Sequence, residues 1–349
     1  MQKVFDGHND VLLRLWETQE AGGDPVAEFR NGTTEGHIDA HRARLGGLAG
    51  GLCAIYIPSP DSPARQPDSR GHYETPLAAP LERAPSLDIA MQMAAIALKL
   101  HESGAWRLCR SVAEIDAAMA DGIFAAVLHM EGCEAIGCDL AALEVFHAAG
   151  LRSLGPVWSR HNIFGHGVPF AYPRSPDTGP GLTDAGFDLL RACNRLGIAI
   201  DLAHITEKGF WDVARTSTHP LIASHSNAHA LTPVARNLTD RQMDAIRDSG
   251  GVAGLNFAVT MLRADGLENP DTPMNDMIRH IDYMVERMGI DAVAIGSDYD
   301  GATIPSVIGD AAGTQRLVEA LGAAGYGADD LEKLCGGNWL RVLGATWGT

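Results

Sequence analysis

Five side chains of metal-ligand type fall near the C-terminal ends of four apolar, strand-like runs. His8 and Asp10 stand two apart after Val4 and Phe5, so on an extended segment both leave the same face. Glu131 follows the apolar run 125–130, His204 closes 198–203, and His225 closes 221–224. One Asp, one Glu and three His carried to a common rim suffice for two divalent ions that share the Glu. Such a centre turns water into a nucleophile, which points to hydrolysis.

With 14 histidines in the chain, single ones fall near strands by accident, so the combination carries the reading. His37 and Asp39 repeat the His-x-Asp spacing, but in a helix-like stretch from Glu35 to Leu45 with no strand behind it. Their side chains are expected to diverge as a surface pair. His129, two before Glu131, faces the same way one layer deeper and reads as a buried hydrogen-bonding residue able to support a ligand from behind. Asp298 ends the last apolar run and is the expected proton carrier of hydrolysis, with Asp300 the alternative two residues on. By position Arg236, after His225, is either a bidentate holder of a substrate carboxylate or a surface charge.

Eight apolar runs position these residues: 4–10, 51–57, 125–131, 152–158, 198–204, 221–225, 251–257 and 292–298. Helical patterns at about 87–103, 139–149, 183–196, 207–216, 239–248 and 273–288 lie between them, several opening with a Thr cap such as Thr183 or Thr239. Eight buried strands alternating with helices predict an α/β fold, a (β/α)8 TIM barrel, ahead of a doubly wound open sheet. Active sites of such barrels lie on the C-terminal rim, where the ligand candidates fall. The irregular stretches 58–86 and 159–182 leave from the same rim and are expected to wall a substrate pocket. Neither a repeat nor a linker divides the chain, so residues 1–349 read as one domain.

The formal net charge of −17 argues against nucleic acid or an anionic membrane as partner. No stretch approaches the roughly 20 apolar residues of a membrane span, and the N-terminus lacks the apolar core of a signal peptide. Six scattered cysteines then read as reduced thiols of a cytoplasmic protein. Cys133 and Cys138 lack the second pair that a structural zinc site needs.

Taken in order, Phe5 to Asp10, His129-Met130-Glu131-Gly132, Asp201 to His204, Ala223-Ser224-His225, Arg236-Asn237 and Gly296 to Gly301 resemble the membrane (renal) dipeptidase family, the M19 metallopeptidases. The resemblance runs over nearly the whole chain, to Gly336-Gly337-Asn338-Trp339. It implies a barrel of the amidohydrolase type holding two zinc ions, one on His8 and Asp10, one on His204 and His225, bridged by Glu131. It implies a metal-bridging hydroxide as nucleophile, Asp298 as proton shuttle, and Arg236 as holder of a dipeptide's C-terminal carboxylate. Members cleave dipeptides, often with a D-residue second, and the resemblance admits a homodimer. Many members carry a His after strand four that contacts the scissile carbonyl. Here Trp158 or Ser159 falls in that slot, which leaves Arg160 or His161 to assist at the substrate.

Two alternatives stand beside the dipeptidase. One is another amidohydrolase-type reaction on an N-acyl amino acid, lactam or lactone; the strand-one motif His-x-Asp, in place of His-x-His, counts against a lactonase or deaminase. The other is a silent barrel that binds metal or peptide, against which no expected ligand is missing.

Overall fold

The apolar runs form eight parallel strands in the computed structural model, which describes residues 1–60 and 65–348. In chain order they are β1 (Val4–Asn9), β2 (Leu48–Tyr56), β3 (Ala125–Glu131), β4 (Leu151–Gly155), β5 (Ala199–Ile200), β6 (Ile222–Ala223), β7 (Val252–Leu255) and β8 (Val293–Ile295). β1 to β5 pair in sequence and so do β6 to β8. Two parallel bridges join these sheets, Asp201 with Ile222 and Asn9 with Tyr299, so the strands close into a (β/α)8 barrel. An open doubly wound sheet is ruled out by that closure.

Helices Arg83–Glu102, Ala141–Ala149, Asp184–Leu196, Glu207–Thr216, Asp240–Asp248 and Met274–Met288 occupy the expected intervals. Their starts are set by side-chain caps: Thr183 accepts from the Gly186 amide, and Thr239 forms a capping box with Gln242. Between 35 and 45 the helix is shorter than its composition suggests, running Ala40–Leu45. Asp39 caps it, accepting from the amides of His41 and Arg42 at 2.9 and 2.8 Å.

Two apolar layers hold the fold. Between barrel and helices pack Leu12, Phe29, Met93, Phe146, Phe210 and Ile281 among others. Inside the barrel, Phe5, Leu52, Val127, Ile222 and Val252 meet Trp339 and Leu343 of the helix Asn338–Trp347, which seals the N-terminal end. Trp339 Nε1–H donates to the Ile295 carbonyl at 2.8 Å. Gly7 has to be glycine, because a Cβ there would lie 2.3 Å from the Trp339 ring. Filled at the bottom with hydrocarbon, the barrel can carry polar groups only toward its C-terminal rim.

At that rim, Tyr73–Glu74 pairs antiparallel with Ala171–Tyr172, fastening the 58–86 and 159–182 excursions to one another. Residues 61–64 of the first excursion lie outside the described residues. The six cysteines are unpaired, and among the described residues no helix is long and apolar enough to cross a membrane.

Candidate metal centre

His8, Asp10, Glu131, His204 and His225 converge at the rim, all buried. Glu131 Oε1 is the hub: His204 Nε2 lies 3.0 Å away, His225 Nε2 3.4 Å and His8 Nε2 3.6 Å. Asp10 Oδ2 is 3.3 Å from His8 Nε2, and the Nε2 atoms of His204 and His225 are 3.1 Å apart. The groups His8–Asp10–Glu131 and Glu131–His204–His225 each gather three ligand atoms within 4.8 Å and share Glu131. Strand one reaches this arrangement through a register shift between Asp6 and Asn9. Gly7 therefore faces Trp339 while His8 still turns to Glu131.

Hydroxyls set the imidazoles from behind. Ser224 donates its hydroxyl to Asp201 Oδ2 at 2.5 Å and lies 2.7 Å from His225 Nδ1. Ser159 Oγ lies 2.8 Å from His204 Nδ1. A hydroxyl accepting Nδ1–H leaves the Nε2 lone pair aimed at the hub. His129 Nδ1 pairs with Ser153 Oγ at 3.0 Å, and its Nε2 sits 3.6 Å from Asp201.

Burial raises the Glu131 carboxyl well above its ordinary range, against the pull of His8. Burial alone would lower His8, but the Glu131 and Asp10 carboxylates outweigh it and hold it up at about 10. Burial, with positive neighbours, pushes His204 and His225 far down, so both imidazoles are neutral and free to donate a lone pair. Crowded acids in a dry pocket call for a cation. Among the described residues His8 Nδ1 and Asp10 Oδ1 are buried without a partner. Neutral imidazoles, carboxylates and a shared Glu fit a divalent metal centre.

Asp298 also stands at the hub, its amide donating to the His8 carbonyl at 3.0 Å. Burial raises its carboxyl, Asp10 adds to this, and His8 opposes it. Asn256 Nδ2 donates to Asp298 Oδ2 at 2.9 Å. His204 and Asp298 both adopt left-handed backbone, φ 66° and 61°, a conformation that non-glycine residues take up mainly where surrounding structure enforces it. Arg236 is buried, with Nη1 toward Ser226 Oγ and Nη2 toward the His225 carbonyl, both at 3.3 Å, and with Nε unpartnered among the described residues.

Asp10, Glu131, His204, Arg236 and Asp298 open into a cavity of about 780 Å³. Arg65 and Phe170 bring the two long excursions to its wall, and Tyr56 and Trp158 form an aromatic side, their rings 5.0 Å apart. The loops after β7 and β8, from Ala258 to Met261 and from Asp298 to Ile304, supply much of the rest. Phe170 lies in an excursion expected to wall the pocket, whereas nothing in the sequence marks Tyr56 or Asn256, because an aromatic or amide at a strand end carries no spacing signal.

Three expectations are corrected. Arg160 does not reach the cavity among the described residues: it is fully buried, donating to Glu134, to Ser59 and to the Ile57 carbonyl at 3.1, 2.6 and 3.1 Å. His161 lines a different cavity, with Ile136 and Asn162. The slot after β4 is filled by Trp158 on the wall and Ser159 behind His204. Asp300 turns away from the hub to pair with Arg14 and His37, and His37, expected on the surface, lines the cavity.

The match to the membrane dipeptidase family model (peptidase family M19) spans residues 1–347. A metallo peptidase from Rhodobacter sphaeroides, solved with a phosphinate mimic of the dipeptide L-Ala-D-Ala, superposes with a TM-score of 0.93 at 47% identity, covering 99% of each chain. Dipeptidase AC, a family M19 metallo peptidase, gives a TM-score of 0.93 at 48% identity over 100% of this chain and 99% of its own. An uncharacterized protein of the pqqA 5′ region of Klebsiella pneumoniae is 51% identical over 75% of this chain and 97% of its own length.

Proposed function

This chain belongs to the membrane dipeptidase family, peptidase family M19, and is a metallo-dipeptidase; on that premise we propose that it uses two zinc ions and accepts L-Xaa-D-Xaa dipeptides. His8 and Asp10 would hold one ion, His204 and His225 the other, with Glu131 between them. The convergence of three imidazole Nε2 atoms on Glu131 Oε1 carries this reading. When bound, the ions lower the pKa of a water and polarise the scissile carbonyl.

The remaining work falls to the chain. Asp298, held by Asn256 beside the hub, accepts the proton released by the attacking water and returns it to the departing amine. Its raised affinity for a proton suits both halves of that transfer. Arg236 offers its guanidinium to the substrate carboxylate, which would relieve the unpartnered Nε. Tyr56, Trp158 and Phe170 keep water from the reacting bond.

The Rhodobacter structure, with its L-Ala-D-Ala mimic, supports acceptance of a D-residue at the second position. Six unpaired thiols support a cytoplasmic location, and the closed barrel with its helical seal supports one domain over 1–349. Amine release from matched L-L and L-D dipeptides by zinc-loaded protein tests the function. Turnover that includes L-D substrates is expected. Metal-loaded protein that cleaves no dipeptide would overturn the proposal.

A further inference from the structure

Besides the metal hub and Arg236, the cavity wall carries a polar group that the reaction above does not use. His37 lines the cavity, and its side chain is 23% exposed. The backbone amide of Asp300 donates to His37 Nδ1 at 2.8 Å, and the His37 amide in turn donates to Asp300 Oδ1. This reciprocal pair fixes the ring and its tautomer: Nδ1 accepts, so the proton of the neutral ring sits on Nε2. Among the described residues Nε2 has no hydrogen-bond partner.

The lock is built from both sides. Asp300 takes a left-handed backbone, φ 66°, and Arg14 approaches its carboxylate at 3.5 Å. Gly36, φ +66°, lies so close that a Cβ would sit 2.7 Å from Asp300 Oδ1. Arg14 also donates to the Ile38 carbonyl at 2.6 Å. A donor held this rigidly loses little entropy when a ligand meets it.

We propose that His37 is a specificity-determining residue, its Nε2–H donating to a neutral hydrogen-bond acceptor on a side chain of the bound dipeptide. The inference rests on the dipeptidase reading. Burial lowers the proton affinity of His37, so it meets substrate as a neutral donor. Asp300 and Asp298 bear on the ring, offset by Arg42 and by the Arg14 that pairs with Asp300, and Leu13 and Ile304 line the same cavity. A short side chain with a hydroxyl or amide fits this surrounding.

The test uses the isosteric pair threonine and valine at each position of an alanine dipeptide, with kcat/KM measured for the zinc-loaded enzyme. One hydrogen bond of ordinary strength is worth a factor of about 2–12, so wild type should favour threonine about 5- to 10-fold at one position. His37→Asn keeps an acceptor for the Asp300 amide and removes the Nε2–H. It should bring the ratio to within about twofold while Ala-Ala turnover changes less than about threefold, and His37→Gln should restore part of the preference. A wild-type enzyme indifferent to the pair, or a preference unchanged in His37→Asn, overturns the subsite alone. Absence of wild-type turnover on every dipeptide overturns the dipeptidase reading and the subsite with it.

Discussion

Ser159 Oγ lies 2.8 Å from His204 Nδ1, and through this contact the loop after β4 reaches the metal hub. The hydroxyl orients the imidazole whose Nε2 is 3.0 Å from Glu131. Removing such a support from behind a ligand typically costs 10- to 100-fold in metal affinity. Ser159→Ala should therefore fold normally and lose metal to a competing chelator about 10-fold more readily than wild type. An unchanged chelator titration would show that the hydroxyl does not set the ligand.

Asp298→Asn isolates proton transfer from metal binding. Asn tolerates the left-handed backbone at φ 61° and keeps an oxygen for Asn256, so structure and metal content should persist. Turnover should fall by about 10²- to 10⁴-fold. Dipeptide hydrolysis within a factor of three of wild type, at equal metal content, would remove Asp298 from the mechanism.

Trp339 serves stability at a distance from the chemistry. It is fully buried at the sealed end of the barrel, against Gly7. Trp339→Ala should lower the unfolding free energy by about 3–5 kcal/mol, read from a denaturant titration. A loss under about 1 kcal/mol would mean that the seal contributes little.

The sequence made the convergence of His8, Asp10, Glu131, His204 and His225 legible because these residues sit at ends of runs whose apolar character survives any error in their boundaries. It left the supports illegible. Ser159, Ser224 and Asn256 act through contacts between residues 45, 1 and 42 positions apart, and short polar side chains are common everywhere. Alternation along strand one accounts for His8 and Asp10 sharing a face, yet it would turn Gly7 outward; the register shift between Asp6 and Asn9 is a tertiary feature. β5 and β6 pair over two residues each, shorter than their apolar runs; past the end of β5 the chain turns left-handed at His204. Arg160 departs from its expected place for a related reason. A charge in a rim loop suggests substrate, and nothing local reveals that Glu134, Ser59 and Ile57 already occupy its guanidinium. The helix-like context of His37 carries no trace of Asp300, 263 residues away, which turns its ring to the cavity.

If Glu131 joins the metal centre to dipeptide hydrolysis, bound metal and turnover rise and fall together. The most direct test measures bound zinc and dipeptide turnover together, in wild type and Glu131→Gln, before and after chelation and again after zinc is restored. Wild type should lose turnover with its metal and regain it on reconstitution, whereas Glu131→Gln should retain little metal and no activity in any state. Turnover by the metal-free enzyme, or a Glu131→Gln variant that cleaves dipeptides at the wild-type rate, would contradict it.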